Sequence, residues 1–207
     1  MPCVCKVKTS FHLTEIVCMC FCCAIPRLMG VLGMEMKMEF DKAVTNPMLM
    51  GCIELMREEN TPEHRDMFLQ ELAKARFISP ALMEPAPVED EEGKLRPLPN
   101  TKVQFPTIAT QDGKRFFMAF SDRMEYEKWV EKNGHKLPTF TLKLDEYADM
   151  LFRSEAMAGE NAAIGLVINP LGANVIVPKP MVAGLTSMRI PGFNQRVQMN
   201  MANLEEN

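Results

Sequence analysis

Basic charge is in short supply in this chain: 23 Lys and Arg stand against 27 Asp and Glu, giving a formal net charge of -4 and a pI near 5.5. Without a long basic stripe, the phosphate-neutralising term that dominates nucleic-acid affinity is missing, and nucleic acid is not an expected partner. Long apolar runs are missing too. Ile16 to Ile25 spans about ten residues before Pro26-Arg27 breaks it, and a membrane span takes about 20. Aromatics make up only 7%, with a single Trp, and there are three His. Cysteine is nearly absent from the body: Cys3, Cys5, Cys18, Cys20, Cys22 and Cys23 crowd the start and Cys52 stands alone after them. One Cys forms no disulfide framework, which fits a reducing cytoplasm, and its apolar position on a predicted helix makes Cys52 a small buried hydrophobe.

Methionine, at 19 residues, is abundant. Its expected use is as core filler, although Met also lines adaptable surfaces. The first 38 residues stand apart. Lys6 and Lys8 supply the basic start of a signal peptide, but His12 and Glu15 interrupt it and no A-x-A cleavage site follows. The Cys pairs Cys3-x-Cys5 and Cys18-x-Cys20, with Cys22-Cys23, depart from the C-x2-C spacing of zinc sites. Lipidation is a further reading of these thiols. The favoured expectation is a mis-called start, with Met34, Met36 or Met38 opening the working protein.

The body reads as a series of alternating elements. Asn46-Pro47 places a side-chain acceptor at an N-cap and a proline at the first helical position, and Leu49, Cys52, Ile53 and Met56 recur on one face. Thr61-Pro62-Glu63 opens a second helix running to about Arg76, with Phe68, Leu72 and Ala75 inward. Phe77 to Leu82 reads as a short strand, placed by Pro80 at an edge or bulge. Met83 to Pro99, with four prolines and the acidic run Glu89 to Glu92, predicts an exposed loop.

Lys102 to Thr110 and Lys114 to Phe120 flank Gln111-Asp112-Gly113, the strongest hairpin signal in the chain. Phe116, Met118 and Phe120 alternate with Phe117 and Ala119, so the second strand is apolar on both faces and central to a sheet. Ser121 is expected to cap a helix bearing Tyr126, Trp129 and Val130, ended by Gly134. Thr139 to Leu144 alternates, with Phe140, Leu142 and Leu144 inward and Thr139, Thr141 and Lys143 outward. A helix from Asp145 carries Tyr147, Met150 and Leu151, and a second hairpin, Ala163 to Ile168 and Asn174 to Val177, turns at Asn169-Pro170-Leu171-Gly172. Two helices, strand, hairpin, helix, strand, helix, hairpin: this order predicts a single α+β domain with a mixed, mostly antiparallel sheet and helices packed largely on one face. From Pro178 the signal fades, and residues 181–207 read as a polar tail with a turn of helix from Met181 to Met188.

Chemistry is sparse. His12, His64 and His135 have no Cys, Asp or Glu at motif spacing, and there is no G-x-S-x-G or G-x-x-x-x-G-K-[ST] segment. Glu155 and Glu160 flank Gly159, where helix-end solubility is the expected role. Asn169-Pro170 is explained by the geometry of a strand-ending turn.

Four motifs occur in an order that resembles the amino-terminal domain of the SseB family, named for enhanced serine sensitivity in bacteria. They are Asn46-Pro47-x-Leu49, Phe68-Leu69 with Leu72 before a strand ending at Pro80, Phe117-Met118-Ala119-Phe120-Ser121 before a Trp-bearing helix, and Leu166-Val167-Ile168-Asn169-Pro170. The likeness covers about residues 40–180. It implies no catalytic residue, and the second, carboxy-terminal domain of full-length relatives is not expected in the residues after 180. The expectation is a non-catalytic, cytoplasmic bacterial module that binds or regulates an unidentified protein, with no cofactor, no metal and no membrane role. Its candidate partner surface is the sheet face carrying Thr139, Thr141, Lys143 and Phe117. The alternative is an enzyme or small-molecule-binding protein whose site assembles from scattered polar residues.

Overall fold

Proline at N1 costs a helix nothing, since the first N–H groups have no intrahelical acceptor, and both amino-terminal helices begin this way. The computed structural model describes residues 16–17, 43–89, 91 and 95–189. Helix α1 spans Pro47–Glu58 and buries Leu49, Cys52 and Ile53. Helix α2 spans Pro62–Lys74, buries Phe68 and Leu72, and is capped by Thr61, whose side chain accepts from the His64 N–H at 3.2 Å. The rest of the 1–38 leader and the segment after Arg189 lie outside the described residues, apart from strand β1, Ile16–Val17.

Strands β2, Arg76–Pro80, and β3, Leu82–Glu84, follow. The proline-rich stretch expected as a loop is instead a ribbon. Strand β3 pairs antiparallel with β6, Lys102–Gln104, and between them β4, Val88–Glu89, pairs with β5, Leu95–Arg96. The base of the ribbon is anchored on the core through the Met83–Val103 pair, a contact that the composition of the stretch does not reveal. Prolines between the strands withhold their N–H groups and keep each paired stretch to two or three residues. The same effect corrects the long strand expected over residues 102–110. It breaks at Phe105-Pro106, leaving β7, Thr107–Ala109, to form the predicted hairpin with β8, Arg115–Ala119.

Helix α3 spans Arg123–Asn133 and ends at Gly134, whose φ of 72° is the left-handed conformation that glycine adopts freely. Strand β9, Thr139–Lys143, leads directly into α4, Leu144–Ala158. A short 3-10 turn, Gly159–Asn161, precedes β10, Ala163–Ile168, and β11, Val175–Pro178, completes the second predicted hairpin. Helix α5, Lys179–Arg189, extends past the domain limit expected at residue 180. Its inward face consists of Val182, Leu185 and Thr186, and the buried threonine hid the period from a reading that counts only apolar side chains.

The main sheet has the order β1-β7-β8-β10-β11. Strands β8 and β10 run parallel and every other neighbouring pair runs antiparallel, the mixed sheet that the sequence predicts. A bridge from Ile78 to Phe120, with both N–H···O distances at 2.9 Å, joins the β2–β9 pair to the end of β8. Gly165 is required where β10 meets β11, because a Cβ there would lie 2.4 Å from the Val177 carbonyl oxygen.

Strand β8 separates two clusters. Phe117 and Ala119 join Leu166, Ile168 and Val177 beneath residues of α1, α2, α4 and α5. Met118 and Phe120 face the other way, against Val44, Ile78, Tyr126 and Trp129. Among the described residues, four helices thus share one face, while α3 alone covers the end of the other. The aromatic residues of the second cluster pack tightly, with ring centroids 5.5 to 6.1 Å apart among Phe120, Tyr126 and Trp129. Arg57 ties α1 to the β10–β11 turn through a 2.5 Å bond from Nη2 to the Ala173 carbonyl.

These placements set the cost of truncation. Leu166→Ala removes a fully buried side chain from the main cluster and is expected to cost about 2–5 kcal/mol, whereas Ile176→Ser, at a side chain 51% exposed, is expected to stay within about 0.5 kcal/mol. Urea unfolding followed by emission of the single Trp, buried Trp129, measures both.

Candidate functional site

Parallel strands deliver their carboxyl ends to one place, and in open α/β sheets that is where ligands bind. Strands β8 and β10 meet in this way at Ser121 and Asn169, both completely buried. The position is filled by the protein's own side chains. The Asn169 amide nitrogen donates to Ser121 Oγ at 2.8 Å, its Oδ1 accepts from the Ser121 N–H at 2.9 Å, and Ser121 Oγ donates to Asp122 Oδ2 at 2.7 Å. Asn46 extends the network: its Nδ2 donates to the carbonyls of Ser121 and Arg76, each at 2.7 Å.

Three sequence expectations change here. Asn46 occupies the N-cap of α1 but makes no side-chain cap bond, because its amide reaches across to β2 and β8 instead. Ser121 is not the cap of α3. That role belongs to Asp122, whose Oδ1 accepts from the Glu125 N–H at 3.0 Å. Asn169 does form the turn, with φ of 49° and its carbonyl accepting from Gly172 and Asn174, and it also links two strands. The available signal was a polar residue closing an apolar strand at a point where alternation leaves no solvent-facing side.

The residues that could carry chemistry are dispersed. His64 Nδ1 lies 2.6 Å from the Glu59 carbonyl oxygen, at the start of α2. His135 is exposed beyond Gly134, and His12 lies outside the described residues. Cys52 is buried as expected, and burial first, with the Glu71 charge second, pushes its thiol pKa up. Glu155 pairs with Lys179, while the side chain of Glu160 lies outside the described residues. Among the described residues, no group of three or more His, Cys, Asp or Glu is placed to hold a metal ion, and no helix is long and apolar enough to cross a membrane.

On β9, Phe140 and Leu142 are buried, Thr139 and Thr141 are half-buried, and Lys143 is exposed. The threonine face is less open than helices on one side alone would leave it. Thr141 pairs with Ile78, which is buried in the cluster beneath α3. Phe117 does not belong to this surface. It is 3% exposed and sits in the main cluster, on the side of the sheet covered by four helices. Its neighbours Phe116 and Met118 alternate away from it, so no rotation of the strand brings Phe117 out while they stay buried. A groove of about 540 Å³ runs along α3, lined among others by Arg123, Glu127, Glu131 and Lys136. Charges of both signs line it, and Arg123 is already paired with Glu127 at 3.1 Å.

Residues 51–184 match the family model described as SseB protein N-terminal domain, and the chain belongs to that family. No curated protein and no solved structure matches the chain.

Asn169→Ala is expected to cost about 2–4 kcal/mol, since it strands the buried Ser121 N–H and forces alanine into the left-handed region. Asn169→Gly keeps the backbone freedom and should be milder by about 1 kcal/mol. Denaturant unfolding of the two variants separates these contributions.

Alkali provides an independent check on burial. Burial pushes both phenols up from their usual value of 10, that of Tyr126 and that of Tyr147, which donates to the Met118 carbonyl at 2.9 Å. A raised folded pKa means that stability is complete below the unfolded value near 10 and is lost as pH rises beyond it. Phenolate absorbance is therefore expected to appear together with the red shift of Trp129 emission, not before it.

Proposed function

We propose that this domain is a non-catalytic protein-binding or regulatory module of a bacterial cytoplasm, with the polar side of β9 as its contact surface. The observation that carries the reading is the division between committed and available polar groups. Asn46, Ser121 and Asn169, which stand where a ligand would bind in a related layout, are bonded to one another and to backbone. Thr139, Thr141 and Lys143 instead line one side of a strand anchored by buried Phe140 and Leu142. A rigid strand bearing two half-buried hydroxyls and an exposed ammonium group holds its donors at fixed spacing, which lowers the ordering cost of association.

Lys143→Glu tests the surface without disturbing the core. Residue 143 is exposed and immediately precedes α4, where the gain of a carboxylate at the helix N-terminus is offset by repulsion from Asp145 and Glu146. The variant should unfold close to the wild-type denaturant midpoint, yet lose at least about tenfold in capture of a stoichiometric protein partner from host lysate, the loss of one charge-assisted contact. Equal capture by the variant and the wild-type chain would remove β9 from the interface.

A further inference from the structure

The amino-terminal end of β8 contrasts with its carboxyl end. Arg115 opens β8 and is paired with Ala109 of β7 on one side and Ala163 of β10 on the other. Thr107 opens β7 and is paired with Phe117, two residues beyond Arg115 on the same face of the sheet. Side chains directly opposite in a ladder share a face, so Arg115, Phe117 and Thr107 all lie on the helix-covered side. Diagonal neighbours of this kind are about 7–8 Å apart, within reach of an arginine side chain.

Both residues carry polar atoms removed from water without a partner. Among the described residues, neither Arg115 Nη1 nor Thr107 Oγ1 has a hydrogen-bond acceptor or donor, although each atom is buried. Thr107 as a whole is 6% exposed, while Arg115 is half-buried and keeps a route to solvent. The strand positions beside Arg115 hold only alanine, and the nearby Ser154 hydroxyl already accepts from the Ala163 N–H at 2.9 Å. Arginine has no way to relieve the cost by losing its proton, because its pKa lies far above any physiological pH. A buried guanidinium nitrogen with no acceptor among the described residues is a favourable place for an anion to bind.

We propose that Arg115 and Thr107 form a binding site for a small oxyanion of the phosphate or carboxylate type. The guanidinium fork would donate two parallel bonds and the threonine hydroxyl a third, the arrangement that suits arginine over lysine. This site lies apart from β9 and does not depend on the partner surface proposed there. It would make the domain a reader of a small anionic metabolite or of an anionic group on a larger molecule.

The test uses the full chain in chloride buffer, with inorganic phosphate or acetate added at matched ionic strength and the thermal midpoint and calorimetric titration as readouts. Phosphate, acetate or both should raise the wild-type midpoint, and which of them does so identifies the anion class. Arg115→Gln should abolish the shift, and Arg115→Lys and Thr107→Val should each weaken binding by about tenfold, one charge-assisted bond apiece. In oxyanion-free buffer Arg115→Gln should unfold no earlier than wild type, a result that a purely structural arginine would not give. No shift with either anion, or an equal shift in wild type and Arg115→Gln, overturns the proposal. Should Arg115→Gln fail to fold, undiminished binding by both Arg115→Lys and Thr107→Val overturns it instead.

Discussion

The fold depends on a single internal constraint: three polar residues must bond one another, side chain to side chain and side chain to backbone, at the place where two parallel strands end. A parallel pair brings its last residues together with no hairpin to pair their backbone groups, and burial makes any unpaired group costly. Asn169 meets that demand from β10, Ser121 from β8, and Asn46 from the entry to α1. The consequences reach across the domain. Asn46 also holds the Arg76 carbonyl, so the start of β2 is fixed relative to β8, and the Ile78–Phe120 bridge follows from that placement. Helix α3 begins at the next residue pair, and its cap, Asp122, is itself bonded to Ser121.

Networks of this kind are worth more for specificity than for net stability. Each bond replaces one with water, so the gain per bond is small, whereas a wrong register would strand several buried groups at once. The side-chain period of a strand is two, and a one-residue slip of β10 against β8 would move Asn169 away from Ser121 and turn Leu166 and Ile168 out of the core. The network and the apolar alternation thus specify the same register independently. Gly165 adds a third restriction at the opposite end of β10, where only the absence of a Cβ admits the Val177 carbonyl.

Much of the architecture was legible because it is local. Proline at N1, the Asp112-Gly113 hairpin, the alternation in β8 and the glycine after α3 each act over a few residues, and each appears where the sequence places it. What escaped is long-range or conditional. The proline-rich ribbon pairs residues as far apart as Leu82 and Gln104, and nothing in its composition announces pairing. Of helix α5 only a turn from Met181 to Met188 was expected, because buried Thr186 interrupts its apolar period. Asn46, Ser121 and Asn169 were each visible as caps or turn residues, but 75 positions separate Asn46 from Ser121 and 48 separate Ser121 from Asn169. Phe117 shows the converse error. An aromatic residue on a strand apolar on both faces gives no sign of which face is open, and only the packing of four helices over one side decides it.

The two ends of β8 make a single argument about where function resides. At the carboxyl end, Ser121 and Asn169 complete their bonding within the chain, so an incoming ligand would have to break existing bonds before making its own. At the amino end, Arg115 and Thr107 have bonding capacity that the described residues do not use, in a setting already desolvated by folding. A ligand there gains the strength of bonds in a low-dielectric setting and displaces no partner among the described residues. Satisfied polar groups thus mark the end of the strand that builds the domain, and unsatisfied ones mark the end able to take part in binding. The distinction rests on bonding state rather than on residue type. Asparagine and serine in an internal cluster look more like an active site than a lone arginine between two alanines, yet it is the arginine that retains unused donors.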